Sequence, residues 1–120
     1  MFRPPGRKFT PPTDIIELSD RIVVLVEIAG MRADDFSVVV TDHGLVITGV
    51  RARPVFDKPA YHRVEIGVGE FRLEFALPVP IEQDGVSARY YDGFLQVDLP
   101  RQASRQIAIT DKTAEQQDQS

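Results

Sequence analysis

Between residues 14 and 99, hydrophobic positions alternate with polar ones over short stretches, and Gly, Pro or Asp residues separate these stretches. In residues 71–77, Phe and Leu at the odd positions alternate with Arg, Glu and Ala at the even ones. A period of two puts successive side chains on opposite faces, which is typical of a half-buried β-strand. Similar patterns predict strands over residues 15–18, 21–28, 36–40, 45–49, 86–90 and 95–99.

The connections between these stretches favour tight turns. Ser19-Asp20, Asp42-His43-Gly44 and Asp92-Gly93 are residue types that close turns between antiparallel strands. Residues 32–35 and 80–84 are predicted to be polar connections or single helical turns. No stretch of a dozen residues has a helical period. The pattern therefore predicts an all-β, immunoglobulin-like sandwich of seven to nine short antiparallel strands.

The chain is predicted to form one domain with two tails. Its 120 residues, 42% of them hydrophobic, are enough for a single core. Four prolines within residues 1–12 predict a short flexible N-terminal arm over residues 1–11, followed by a domain over residues 12–102. Residues 103–120 form a polar extension that contains Ile107 and Ile109. These two side chains cannot join a core within their own segment, so we expect them to pack elsewhere.

Composition excludes several classes of function. The chain has no cysteine, which excludes disulfides, thiolate metal sites and thiol nucleophiles. It has no apolar run near the roughly 20 residues of a membrane span and no signal-peptide pattern, so we expect a cytoplasmic protein. A formal charge of −4 argues against binding to nucleic acid. The basic residues Arg3, Arg7 and Lys8 are either a solubilising tail or a phosphate-binding arm.

The residues that carry enzyme chemistry lack the arrangement that such chemistry needs. His43 lies in a predicted turn and His62 in a short segment, and neither has a partner at metal-ligand spacing. The glycines at 67 and 69 precede a strand and not a helix, so they do not form a phosphate-binding loop. We therefore expect no enzymatic activity, no cofactor and no metal, and we look for function in the protein's surfaces.

Several short motifs occur along the chain in a fixed order and spacing. They are Pro12-Thr13-Asp14-Ile15-Ile16-Glu17, Ile28-Ala29-Gly30-Met31, Asp34-Asp35-Phe36-Ser37-Val38, Leu45-Val46-Ile47-Thr48-Gly49-Val50-Arg51, Tyr61-His62-Arg63-Val64-Glu65, Gly69-Glu70-Phe71, Phe75-Ala76-Leu77-Pro78, Ala88 to Leu95 and Ile107-Ala108-Ile109. Together they resemble the small heat shock proteins, which are built around the alpha-crystallin domain. Phe94 and Asp92 depart from the usual Val and Asn of the family.

The resemblance implies an ATP-independent chaperone of the stress response, a holdase that binds unfolding client proteins and prevents their aggregation. It also implies a homodimer formed by strand exchange, in which one segment closes the sheet edge of the partner. The alternative for this segment is a disordered loop with an incidental Tyr. The exchanged segment would consist of Tyr61, His62, Arg63 and Val64.

A groove for the Ile-x-Ile motif is expected between two strands. Ile107 and Ile109 point the same way from an extended tail, so both can enter one groove, either on another copy or on their own domain. Docking on other copies would link dimers into a higher oligomer. The side chains expected to line the groove are Val38 and Val40 on one strand and Val86, Ala88 and Tyr90 on the other.

The arm is short for this family, which implies modest client binding. Phe2 and Phe9 are its large apolar side chains apart from Met1, and we expect them to contact clients. An alternative function is that of a non-enzymatic scaffold or co-chaperone module similar to CS domains, or of a hetero-oligomer subunit that joins longer-armed related small heat shock proteins.

Overall fold

The computed structural model describes residues 9–103 and 107–111. This part of the chain contains seven strands and two single-turn 3-10 helices, Ala33–Asp35 and Gln83–Gly85, which lie in the two predicted polar connections. The predicted all-β class is confirmed. The strands are β1 Thr13–Glu17, β2 Arg21–Glu27, β3 Phe36–Val40, β4 Gly44–Arg51, β5 Gly69–Ala76, β6 Ser87–Tyr91 and β7 Phe94–Pro100.

The strands form two antiparallel sheets, one in the order β1-β2-β7-β6 and one in the order β3-β4-β5. Four of these pairings join strands that follow one another along the chain: β1 with β2, β3 with β4, β4 with β5, and β6 with β7. The pairing of β2 with β7 is different, because it joins Arg21 to Pro100 across most of the domain. The free edges of the sheets are therefore β1 and β6 in one, and β3 and β5 in the other.

The core lies between the sheets and follows from the alternation along each strand. In β5, Phe71 and Leu73 are buried and Phe75 is half-buried, which confirms the predicted strand face. Fourteen hydrophobic side chains form one buried cluster, and no polar or charged residue is buried with them in the described part of the chain. The cluster consists of Ile22, Val24, Val26, Ile28, Met31, Leu45, Ile47, Phe71, Leu73, Leu77, Ile81, Leu95, Val97 and Leu99.

Two predicted turns differ in backbone conformation. Asp92 has a φ of 51° and Gly93 a φ of 81°, so the β6–β7 hairpin uses the left-handed region that its sequence favours. Neither Asp42 nor His43 has a positive φ. The β3–β4 turn is instead closed by the Thr41 N–H, which donates to the carbonyl of Gly44 over 2.9 Å.

Within the described residues, no helix is long and apolar enough to span a bilayer.

Candidate functional site

A small groove lies between β3 and β6, the edge strands on one side of the two sheets. It contains a cavity of about 150 Å³. Three of the five predicted groove residues, Val38, Ala88 and Tyr90, lie in its wall, whereas Val40 and Val86 pack against the core outside this cavity. The complete lining is Ala33, Phe36, Val38, Ala88, Arg89, Tyr90 and Leu95.

Tyr90 does more than line the groove. Its ring centroid is 5.3 Å from that of Phe36, so the two rings join the sheets across the gap. Its hydroxyl donates to the carbonyl of Ile28 over 2.8 Å and accepts from the N–H of Met31 over 3.3 Å. The side chain therefore ties β6 to the bend that follows β2. The sequence pattern placed Tyr90 on the correct face but carried no signal for these hydrogen bonds.

The predicted docking motif does not occupy this groove in the single chain. Ile107 is 78% exposed and Ile109 is 94% exposed. The domain itself is tied down as far as Gln102, whose N–H donates to the carbonyl of Pro80 over 3.1 Å. Both isoleucines can therefore be buried elsewhere without any loss of existing packing.

The predicted exchange segment lies in the 52–68 loop, which contains no strand. Tyr61, His62 and Arg63 are exposed and Val64 is half-buried. Arg53 holds part of this loop, because its guanidinium lies 5.6 Å from the ring centroid of Tyr61. A strand that pairs only with a second copy has no ladder in a single chain, so exchange stays a prediction.

An open sheet edge is available to such a segment. β1 pairs only with β2, so its other edge carries unpaired backbone groups. Ile15 and Ile16 on this strand are 41% and 39% exposed. β1 is therefore an apolar edge that a further strand could extend.

The two predicted arm residues have different positions. Phe2 lies outside the described residues. Phe9 is half-buried against the core, with its ring centroid 5.6 Å from that of Phe71. The guanidinium carbon of Arg51 lies 4.8 Å from the centroid of the Phe9 ring. A client-binding role for Phe9 stays a prediction, and it requires that the ring leave this packing.

The residues 9–103 and 107–111 contain no group of three or more His, Asp or Glu side chains that could hold a metal ion. The two histidines lie apart in different elements, His43 in the β3–β4 turn and His62 in the long loop.

The comparisons with known proteins agree with this architecture. Residues 14–113 match the model of the Hsp20/alpha crystallin family. The chain belongs to this family. Its members among curated proteins include "Small heat shock protein C2" of Rickettsia felis, to which the chain is 29% identical over 79% of its own length. It is also 36% identical, over 75% of its length, to a 19.0 kDa class II heat shock protein of Oryza sativa subsp. japonica.

The solved structures include a small heat-shock protein from Xylella fastidiosa, for which a distinct high order structure is described. The chain is 27% identical to it, with a TM-score of 0.73, and the match covers 88% of this chain and all of the other. This likeness confirms the predicted alpha-crystallin fold. The chain spans 62% of the Rickettsia protein and 57% of the Oryza protein, which is less than two thirds of either relative.

Proposed function

We propose that this small heat shock protein is an ATP-independent holdase that binds unfolding proteins and keeps them from aggregating. Family membership supports this activity. The observation that carries the proposal is the pairing of a mainly apolar groove between β3 and β6 with a tail whose two isoleucines are exposed. Together they give each subunit a docking site and a docking segment, as an assembling chaperone requires.

The building block is a homodimer in which the segment of residues 61–64 extends the β1 edge of the partner. Two observations support this arrangement. The open edge of β1 presents Ile15 and Ile16 next to unpaired backbone groups. The 52–68 loop, moreover, has no strand of its own and presents Val55 and Phe56 with 95% and 66% of their surface exposed. Pairing of the loop with β1 would give hydrogen-bond partners to the unpaired backbone groups of this edge.

Dimers are linked by their tails, each of which docks into the groove of a neighbouring dimer. Burial of two isoleucines stabilises such a contact by about 3–6 kcal/mol before the cost of association. The cost of association is of similar size, so one tail docks weakly and two tails per dimer act together. The result is an assembly that exchanges subunits and leaves grooves open for part of the time.

A client-aggregation assay tests the activity. A model client is heated with increasing amounts of the full chain, and light scattering is recorded with and without ATP. We expect scattering to fall with the ratio of chaperone to client, and ATP to change nothing. Ovalbumin at equal mass serves as the control for non-specific crowding.

No suppression at any ratio contradicts the holdase proposal. Suppression that arises only after a longer-armed relative is added supports the hetero-oligomer function instead. We also place the protein in the cytoplasm, which the absence of cysteine supports.

A further inference from the structure

Arg51 lies where the long loop leaves and re-enters the sandwich. It is the last residue of β4 and pairs with Gly69, the first residue of β5. Its side chain extends beyond this pair. Nε donates to the carbonyl of Gly67 over 2.9 Å, and one terminal nitrogen donates to the same oxygen over 2.6 Å. The other terminal nitrogen donates to the carbonyl of Ala29 over 3.1 Å.

These contacts fix the returning end of the loop to the body of the domain. A guanidinium is planar and always charged, so two parallel N–H groups on one carbonyl define a direction as well as a distance. Gly67 is only three residues beyond Val64. The hydrogen bonds from Arg51 to the Gly67 carbonyl therefore restrict the directions in which the exchange segment can leave its own domain. A pre-oriented segment loses less conformational entropy when it binds a partner.

Phe9 supports Arg51 in this position from the side of the core. The Phe9 ring packs between the guanidinium and Phe71. It also lies directly against Gly67, where a Cβ would come within 2.7 Å of the ring. Gly67 does not have a positive φ, so it is the close approach of Phe9 that requires a glycine there.

We propose that Arg51 is a positioning residue for dimer formation, and that Phe9 supports assembly by holding Arg51 over the Gly67 carbonyl. The inference rests on the strand-exchanged dimer of the proposed function. It assigns to Phe9 a role in assembly that is separate from client contact, since the ring acts through Arg51 and not through an exposed face.

The test is a measurement of the monomer–dimer dissociation constant by sedimentation velocity over a dilution series of the full chain. Arg51→Lys keeps the positive charge but lacks the fork, and Phe9→Ala removes the ring. We expect each change to raise the dissociation constant by about tenfold, the loss that corresponds to one charge-assisted hydrogen bond. In the double variant, the rise in the dissociation constant should be smaller than the product of the two single effects, because both changes break the same set of contacts. Phe9→Tyr keeps the ring and should restore wild-type affinity.

Arg72→Lys is the matched control, because Arg72 is an exposed residue of the neighbouring strand β5 and its guanidinium pairs with Glu74 at 3.2 Å. It should leave the dissociation constant unchanged.

Circular dichroism and thermal unfolding of every variant separate stability from assembly. If Arg51→Lys and Phe9→Ala lower the melting temperature but leave the dissociation constant unchanged, Arg51 is only structural and the proposal fails. If the two effects multiply without coupling, Phe9 does not act through Arg51. A wild-type chain that is monomeric at every concentration refutes the exchanged dimer itself, and this outcome is seen without any variant.

Discussion

Replacement of both tail isoleucines by alanine should separate dimers from one another without unfolding the domain. Ile107 and Ile109 are 78% and 94% exposed, so they contribute little to the stability of the single chain. Docking would bury most of that surface. The variant Ile107→Ala with Ile109→Ala therefore tests assembly almost independently of folding.

The size of the effect follows from the carbons removed. Each Ile→Ala change deletes three side-chain carbons, and burial of each is worth about 0.8 kcal/mol. One tail loses up to about 5 kcal/mol, which corresponds to between three and four orders of magnitude in the dissociation constant of that contact. An assembly held by such contacts at micromolar concentration should dissociate to dimers.

Size-exclusion chromatography with multi-angle light scattering measures the shift directly. Ala108→Ser is the matched control, because residue 108 points to the opposite side of an extended tail and should not enter the groove. Far-ultraviolet circular dichroism should be the same for all three proteins. A double variant with the size distribution of the wild type would refute the docking model and favour a tail that folds back or has no role.

Three further predictions concern other parts of the molecule. Deletion of residues 57–66 should give monomers that aggregate through the open β1 edge, as measured by sedimentation velocity and turbidity; a soluble dimer would contradict strand exchange. Tyr90→Phe removes a half-buried hydroxyl with two backbone partners and should cost about 1–3 kcal/mol, or roughly 4–8 °C in melting temperature for each kcal/mol. The control is Tyr91→Phe, because the hydroxyl of Tyr91 donates to the side chain of Gln96 in an exposed hydrogen bond. This change should lower the melting temperature less, and an equal loss would show that the contacts of Tyr90 are not the cause. Phe2→Ser should weaken suppression of client aggregation only partly, while a free peptide with the Ile-x-Ile motif should weaken it further by filling the groove; complete loss from Phe2→Ser alone would limit client binding to the arm.

The strands were predictable because each encodes its faces locally. In residues 71–77 the period of two identified Phe71 and Leu73 as core residues, and both are buried. The turn at Asp92-Gly93 was predictable because these residue types favour the left-handed conformation that the structure has there. The order of the strands in the sheets, by contrast, could not be predicted from local patterns. No periodicity shows that β3 and β6 are edges on one side, and the groove was expected only from the family resemblance.

The contacts that were missed depend on residues far apart in the chain. Phe9 lies within the proline-rich residues 1–12, a composition that favoured a free arm, and its packing requires Arg51 and the missing Cβ of Gly67. The hydroxyl of Tyr90 binds a carbonyl 62 positions away. A local pattern cannot encode such pairings. The exchange segment is a harder case, because its proposed partner strand belongs to a second copy.

The pairing of β2 with β7 has a consequence for folding of the chain during its synthesis on the ribosome. Arg21 and Pro100 are about 80 residues apart, so β2 waits about 4–16 s for its partner strand at ordinary rates of translation. During that time its inward side chains, Ile22, Val24 and Val26, have no completed core, although all three are fully buried in the finished domain. For some seconds, each nascent chain is thus an incompletely folded polypeptide with exposed apolar side chains. Polypeptides of this kind are the clients that mature copies of the protein are proposed to bind.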